Sequence, residues 1–137
     1  MFMTPKVARR AIFAGLILFS QPIAMANAMP ICGDARRVTC VVDGDTFWLD
    51  RTKYRIADID APEVGRPGCP AELALGRQAT LRLAELLVDG RFEVQPTGLD
   101  KYGRTLAIVS MDGRSIGMQL VRERLAHVWG GPDRSWC

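Results

Sequence analysis

Apolar residues fall along this chain in blocks of different period. Residues 11–19, AIFAGLILF, form an unbroken apolar run behind Lys6, Arg9 and Arg10. From Arg37 to Leu49 the chain is rich in β-branched and aromatic residues around an Asp43-Gly44 bend, the pattern of a hairpin. Asp50-Arg51-Thr52 reads as a turn and Lys53 to Ile59 as a third strand. Asp60-Ala61-Pro62-Glu63 breaks it, and the Gly- and Pro-bearing stretch from Val64 to Pro70 reads as a loop. Over Ala71 to Leu87 the period changes. Leu73, Leu75, Ala79, Leu83, Leu86 and Leu87 recur at helical spacing, with Glu72, Arg77, Arg82 and Glu85 between them. Asp89-Gly90 ends that helix. Phe92 to Gln95 reads as a short strand, Pro96 to Arg104 as a polar loop and Thr105 to Met111 as another strand before an Asp112-Gly113 turn. Ser115 is placed to cap a second helix reaching Arg124, and Ala126 to Trp129 has the character of a final strand. The order β-β-β-α-β-β-α predicts a mainly β fold with helices, a five-stranded antiparallel barrel closed at one end by a helix.

The first apolar block does not belong to that domain. It is too short to span a membrane as a mature helix, follows a basic stretch, and precedes small-residue cleavage sites at Ala24-Met25-Ala26 and Ala26-Asn27-Ala28. Residues 1–28 therefore read as a secretory signal peptide, and 29–137 as one domain of a periplasmic or secreted protein with no stable membrane association after cleavage. An uncleaved anchor is the alternative. The leader holds three of the 18 Lys and Arg and none of the 15 Asp and Glu, so the remainder is formally neutral. Net charge then says nothing for nucleic-acid binding, and attraction to phosphate must come from local clusters. Outside the leader nearly every basic residue is Arg, the better bidentate partner for phosphate; only Lys53 and Lys101 are lysines. Cys32, Cys40, Cys69 and Cys137 read as two disulfides in an exported domain, with three pairings open. Without a CxxC pair, and with His127 remote, a zinc site is the poorer reading.

Asp45, Arg55, Asp60, Glu63 and Arg104 are each bland alone. Together they are a set of parts. Two converging carboxylates can hold a hard cation, a further carboxylate can take a proton from water, and two arginines can neutralise a phosphate as charge builds on it. Such a set hydrolyses a phosphodiester without a His, Ser or Cys nucleophile.

In order along the chain, Asp43-Gly44-Asp45-Thr46, Arg55, Ile59-Asp60-Ala61-Pro62-Glu63 and Asp100-Lys101-Tyr102-Gly103-Arg104 resemble the thermonuclease family, the staphylococcal-nuclease-like proteins. The resemblance runs from Val38 to Val128 and is greatest to short exported bacterial members with paired cysteines. It implies an OB-fold barrel and a Ca²⁺-dependent nuclease that cuts DNA and RNA and leaves 3′-phosphates. Carried over position by position, the metal ligands fall on Asp45, Asp60 and the backbone carbonyl of Ala61, and the general base on Glu63. The phosphate-binding arginines fall on Arg55 and Arg104, and nucleotide contacts on Lys101 and Tyr102. Asp43 matches a carboxylate that supports the ligand Asp45 rather than touching the ion. A monomer is expected.

The resemblance also has departures. Longer relatives continue into a C-terminal helix; here a Cys69–Cys137 bond is expected in its place, leaving Cys32 with Cys40. Arg124 stands where relatives commonly carry glycine, at a cost of roughly 1 kcal/mol if its φ is positive. The aromatic that stacks on the nucleotide has no counterpart at Gly130, and Trp129 is either its substitute or a packing residue. Asp58 reads as a solvated surface position, and His127 has no assigned role. The competing reading is a catalytically weak or inactive OB-fold nucleic-acid-binding module of the cell envelope.

Overall fold

The computed structural model describes residues 27–88, 90–132 and 134–137. The leader expected over residues 1–28 lies outside them except for its last two positions. Among the described residues, no helix is long and apolar enough to cross a membrane.

Strands β1 (Cys40–Asp43), β2 (Thr46–Leu49) and β3 (Thr52–Ile56) pair antiparallel in sequence. Asp50 and Arg51 take positive φ (47° and 69°), as the tight turn between β2 and β3 requires. The third strand expected from Lys53 to Ile59 breaks at Ile56, and Ile59–Asp60 form a separate strand, β4. Ile56 and Ile59 are both fully buried. Three positions apart, they would face opposite sides of a straight strand. The intervening turn lets both reach the core and carries the Asp58 carboxylate to Ser115, whose Oγ donates to it at 2.7 Å. Asp58 thus ties the turn to Ser115, the residue that caps the second helix, rather than lying free at the surface.

Helix α1 (Pro70–Leu86) is followed by β5 (Glu93–Leu99), β6 (Thr105–Met111), β7 (Arg114–Ser115), α2 (Ile116–Arg122) and β8 (His127–Val128). β5 runs through Pro96 and Gly98, so the polar loop expected from Pro96 is shorter than its composition suggested. β5 is an edge strand whose register slips between Pro96 and Gly98, and an edge tolerates the missing proline donor.

The main sheet has the order β1-β2-β3-β6-β5, with β7 on β6; β4 and β8 form a two-stranded ribbon apart from it. β3 and β6 run parallel. Chain direction permits this because β4, α1 and β5 intervene, and only a long crossover can bring strands parallel. The expected antiparallel five-stranded barrel is therefore corrected to a mixed sheet. Among the described residues no strand pairing joins β5 to β1 to close it. The outer edge of β1 is instead covered by the preceding segment. Val41 N–H donates to Pro30 O at 2.9 Å, Cys32 N–H donates to Val41 O at 2.8 Å, and a Cys32–Cys40 disulfide pins the two together.

Val41, Phe47, Ile56, Ile59, Leu83, Leu87, Val109 and Leu120 fill the core between the sheet and the two helices. Phe47 stacks on Tyr54 and meets Phe92 edge-on, with ring centroids 5.4 Å and 6.3 Å away. The expected stripe holds over the later turns of α1, where Ala79, Leu83, Leu86 and, at its cap, Leu87 are buried, but not at its start. Leu73 and Leu75 are half-buried, while Glu72, Gly76, Ala79 and Thr80 turn inward. Small residues are needed there because the helix lies against backbone. A Cβ on Gly76 would come within 2.8 Å of Pro62 O, and one on Gly44 within 2.7 Å of Ala79 Cβ. The second disulfide, Cys69–Cys137, joins the start of α1 to the end of the chain. On the loop-closure model, bridging 68 positions contributes about 4 kcal/mol.

α2 ends in a left-handed turn: Leu125 N–H donates to Leu120 O at 2.9 Å and Arg124 N–H to Val121 O at 3.0 Å. The turn sets Arg124 at φ 62°. Glycine is cheaper in that conformation, so Arg124→Gly is expected to stabilise the fold by about 1 kcal/mol. Chemical denaturation checks this as a rise in midpoint at unchanged slope.

Candidate active site

The β1–β2 bend, the start of β4 and the end of β3 meet beside the first turns of α1. Gly44 allows the approach, since its Cα sits where a methyl would strike both Ala61 and Ala79. Asp45 is thereby buried, with 7% of its surface exposed. Its Oδ1 accepts from Thr46 Oγ1 at 2.9 Å, and its Oδ2 from the Ala61 N–H at 2.9 Å. Asp43 supports it from behind, its Oδ1 accepting the Asp45 N–H at 3.3 Å.

Arg55, equally buried, reaches across from β3. Its Nη1 donates to Ile56 O at 3.1 Å and Ile59 O at 3.2 Å, which fixes the guanidinium against the turn between β3 and β4. Its Nη2 then lies between two carboxylates, 3.4 Å from Asp45 Oδ2 and 3.2 Å from Asp60 Oδ1. The indole of Trp129, 60% exposed, covers the guanidinium at 4.6 Å. Asp45, Arg55 and Asp60, remote in sequence, are thus in direct contact.

Glu63 stands on the exposed loop after β4, and its own N–H donates to Glu72 Oε1 at 3.1 Å. Arg104 is placed differently. Its Nε pairs with Asp100 Oδ2 at 2.6 Å, and its guanidinium lies 5.4 Å from the exposed ring of Tyr102. Lys101 Nζ sits over the same ring at 5.1 Å. Lys101, Tyr102 and Arg104 therefore form an exposed lip. Arg104 acts on Glu63 only through its positive field, which opposes the rise of the Glu63 pKa.

The electrostatics of this pocket are lopsided. Burial, then the neighbouring Asp45, pushes the Asp43 carboxyl up to about 7. Burial and Asp45 also raise Asp60, against the pull of Arg55 and His127. Glu63 is raised by burial, then by Asp45, Asp60 and Glu72. Raised carboxyls around a single buried guanidinium mark an excess of negative charge. Among the described residues no three His, Cys, Asp or Glu side chains converge as a ligand group. The available donors are the paired carboxylates Asp45 and Asp60 with the nearby backbone, all oxygen, and such donors suit a hard cation.

Over residues 53–133 the sequence matches the staphylococcal nuclease homologue family. This chain belongs to the staphylococcal nuclease family. It is similar to a micrococcal nuclease of Shigella flexneri, 32% identical over 105 residues that cover 73% of this chain and 56% of the relative. A thermonuclease of Staphylococcus intermedius is 32% identical over 106 residues, covering 73% of this chain and 62% of the relative. The chain thus spans little more than half the length of these relatives. The family match includes Arg55, Asp60, Glu63 and Arg104, while Asp45 precedes it.

In this staphylococcal nuclease homologue the site also contains residues that the sequence did not reveal. Glu72 looked like part of the polar face of α1. It is instead buried, with Oε2 accepting from Gly68 N–H at 2.6 Å and Oε1 from Glu63 N–H, so it holds both ends of the Glu63 loop. Its spacing three residues after the cap, Cys69-Pro70-Ala71-Glu72, was the available signal. His127 lies opposite Asp60 in the β4–β8 ribbon and stacks on Trp136 at 3.7 Å. No local pattern announces that stack, because the disulfide at Cys137 brings the tail back to it.

Proposed function

We propose that this chain is an exported, Ca²⁺-dependent nuclease that hydrolyses phosphodiester bonds in DNA and RNA. The observation that carries the reading is the buried Arg55 guanidinium held between Asp45 and Asp60, with Glu63 on the adjoining loop. Asp45, Asp60 and the Ala61 carbonyl would hold the ion, which when bound polarises a phosphate oxygen as a Lewis acid. The remaining work falls to side chains. Glu63 accepts a proton from the attacking water or orients it, its loop fixed by Glu72. The Nη2 face of Arg55 and the guanidinium of Arg104 donate to the non-bridging oxygens as negative charge builds on the phosphorane-like transition state. Lys101 and Tyr102 on the lip contact the nucleotide. A polyanion is drawn to this pocket by these cations together with the metal, since the domain as a whole is formally neutral.

The disulfides Cys32–Cys40 and Cys69–Cys137 leave no free cysteine among the described residues, which supports an oxidising compartment, the periplasm or the exterior. We read the mature protein as a monomer released from the membrane once its leader is removed.

Digests of single-stranded DNA, duplex DNA and RNA, run with millimolar Ca²⁺ and with chelator, test the reading. Cleavage that requires the ion is expected on all three. Binding of single strands without cleavage of any substrate would leave the non-enzymatic module standing instead.

A further inference from the structure

A second cationic feature lies behind β8. A cavity of about 630 Å³ opens there, lined by Val121, Arg124, His127, Pro132 and Arg134 among others. It shares its His127, Val128, Pro132 and Arg134 wall with a cavity of about 340 Å³ that reaches Asp60 and Trp129. One groove therefore runs from the metal-ligand carboxylate, past the exposed Trp129, to Arg124 and Arg134. Among the described residues neither arginine has a carboxylate within ion-pair distance. The acid beside Arg124, Glu123, is committed to Arg82 through bonds of 2.9 Å to Nε and Nη2. Asp60, at the near end, already faces Arg55.

The backbone makes the same point independently. The helix ending requires a left-handed residue, and this chain places there an arginine rather than the glycine that the conformation favours. Strain kept at a position with no structural partner is a mark of function.

We infer that Arg124 and Arg134 form a distal subsite for the phosphodiester backbone of a single nucleic-acid strand whose scissile phosphate lies at Asp60. This rests on the nuclease reading above. In this subsite the two guanidiniums each contact one phosphate, several nucleotides from the cut, and the apolar wall of Val121 and Pro132 lies beneath the sugars. The subsite selects for strand length rather than base sequence, because it offers charge to the backbone and no donor pattern to a base.

The test is fluorescence anisotropy with labelled oligothymidylates of 2 and 12 nucleotides, in chelator so that nothing is cut, alongside Ca²⁺-dependent cleavage of the same strands. Arg124→Gly and Arg134→Ala are compared with Arg91→Ala, which removes the same charge from the turn before β5. Each groove variant is expected to weaken the longer strand about fivefold more than the shorter one. Each also makes the salt dependence shallower by about 0.7 in log–log slope, the value for one lost single-strand phosphate contact. Arg124→Gly does so while gaining stability, a combination that a merely structural residue does not give. Equal weakening of both lengths, or an effect no greater than that of Arg91→Ala, overturns the subsite. Length-dependent binding without cleavage leaves the subsite standing and removes the nuclease reading, so the two failures are separable.

Discussion

Arg55→Ala is expected to cost both fold stability and activity. In the native protein the Arg55 Nη2 is the cation facing the buried Asp45 and the half-exposed Asp60. Its Nη1 holds two carbonyls that shape the turn between β3 and β4. Removing one partner of a buried pair leaves uncompensated charge and typically costs about 3–5 kcal/mol. Loss of a donor to the developing phosphorane costs a further factor of about 10²–10³ in kcat. Arg55→Lys separates the two roles. It restores a charge but cannot donate to both carbonyls and both carboxylates at once, so stability recovers in part while kcat stays low. Denaturation midpoints and kcat measured on all three proteins decide the matter. An alanine variant as stable as the parent and within tenfold of its activity would refute the central place given to this arginine.

The meeting of Asp45, Arg55 and Asp60 in this candidate site was legible in the sequence, and the reason is local. DGDT and DAPE each combine a chain break with a carboxylate, so the turn chemistry that ends a strand also announces the acid. Arg55 was legible only as a member of the set; that it is buried, and that its donors hold the turn as well as two carboxylates, depends on tertiary packing. The failures have a common physical origin. Leu73 and Leu75 suggested the inward face at the start of α1, but the helix packs there against the backbone of Pro62 and Glu63, where Gly76 fits, and Ala79 meets Gly44 one turn on. Pro96 and Gly98 signalled a loop, yet an edge strand needs neither a donor nor a side chain on its open side. The parallel pairing of β3 with β6 is a long-range choice that no single segment encodes. Each error came from reading composition where close backbone approach or sheet position decided the structure.

Glu63→Gln should lower kcat by about 10²–10⁴, the usual contribution of a positioned general base, and leave the fold intact. The side chain is exposed and its described bond is made by the backbone N–H, so the amide removes a proton acceptor without disturbing a contact that holds the loop. KM is expected to change little, since the proposed mechanism assigns binding to Arg55, Arg104 and the lip. Glu72→Gln provides the contrast. It retains the shape of the buried clamp but weakens two charge-assisted bonds, from Glu63 N–H at 3.1 Å and Gly68 N–H at 2.6 Å. Its loss should be smaller, accompanied by faster amide exchange in the 63–68 loop, which Glu63→Gln would leave unchanged. Both variants are read by single-turnover cleavage of one oligonucleotide with Ca²⁺ present, paired with exchange measurements. If Glu63→Gln cut at the parental rate, the carboxylate would be neither base nor water-orienting group. The proton would then have to leave through a group other than Glu63, and Glu72 would be holding a loop with no chemical task.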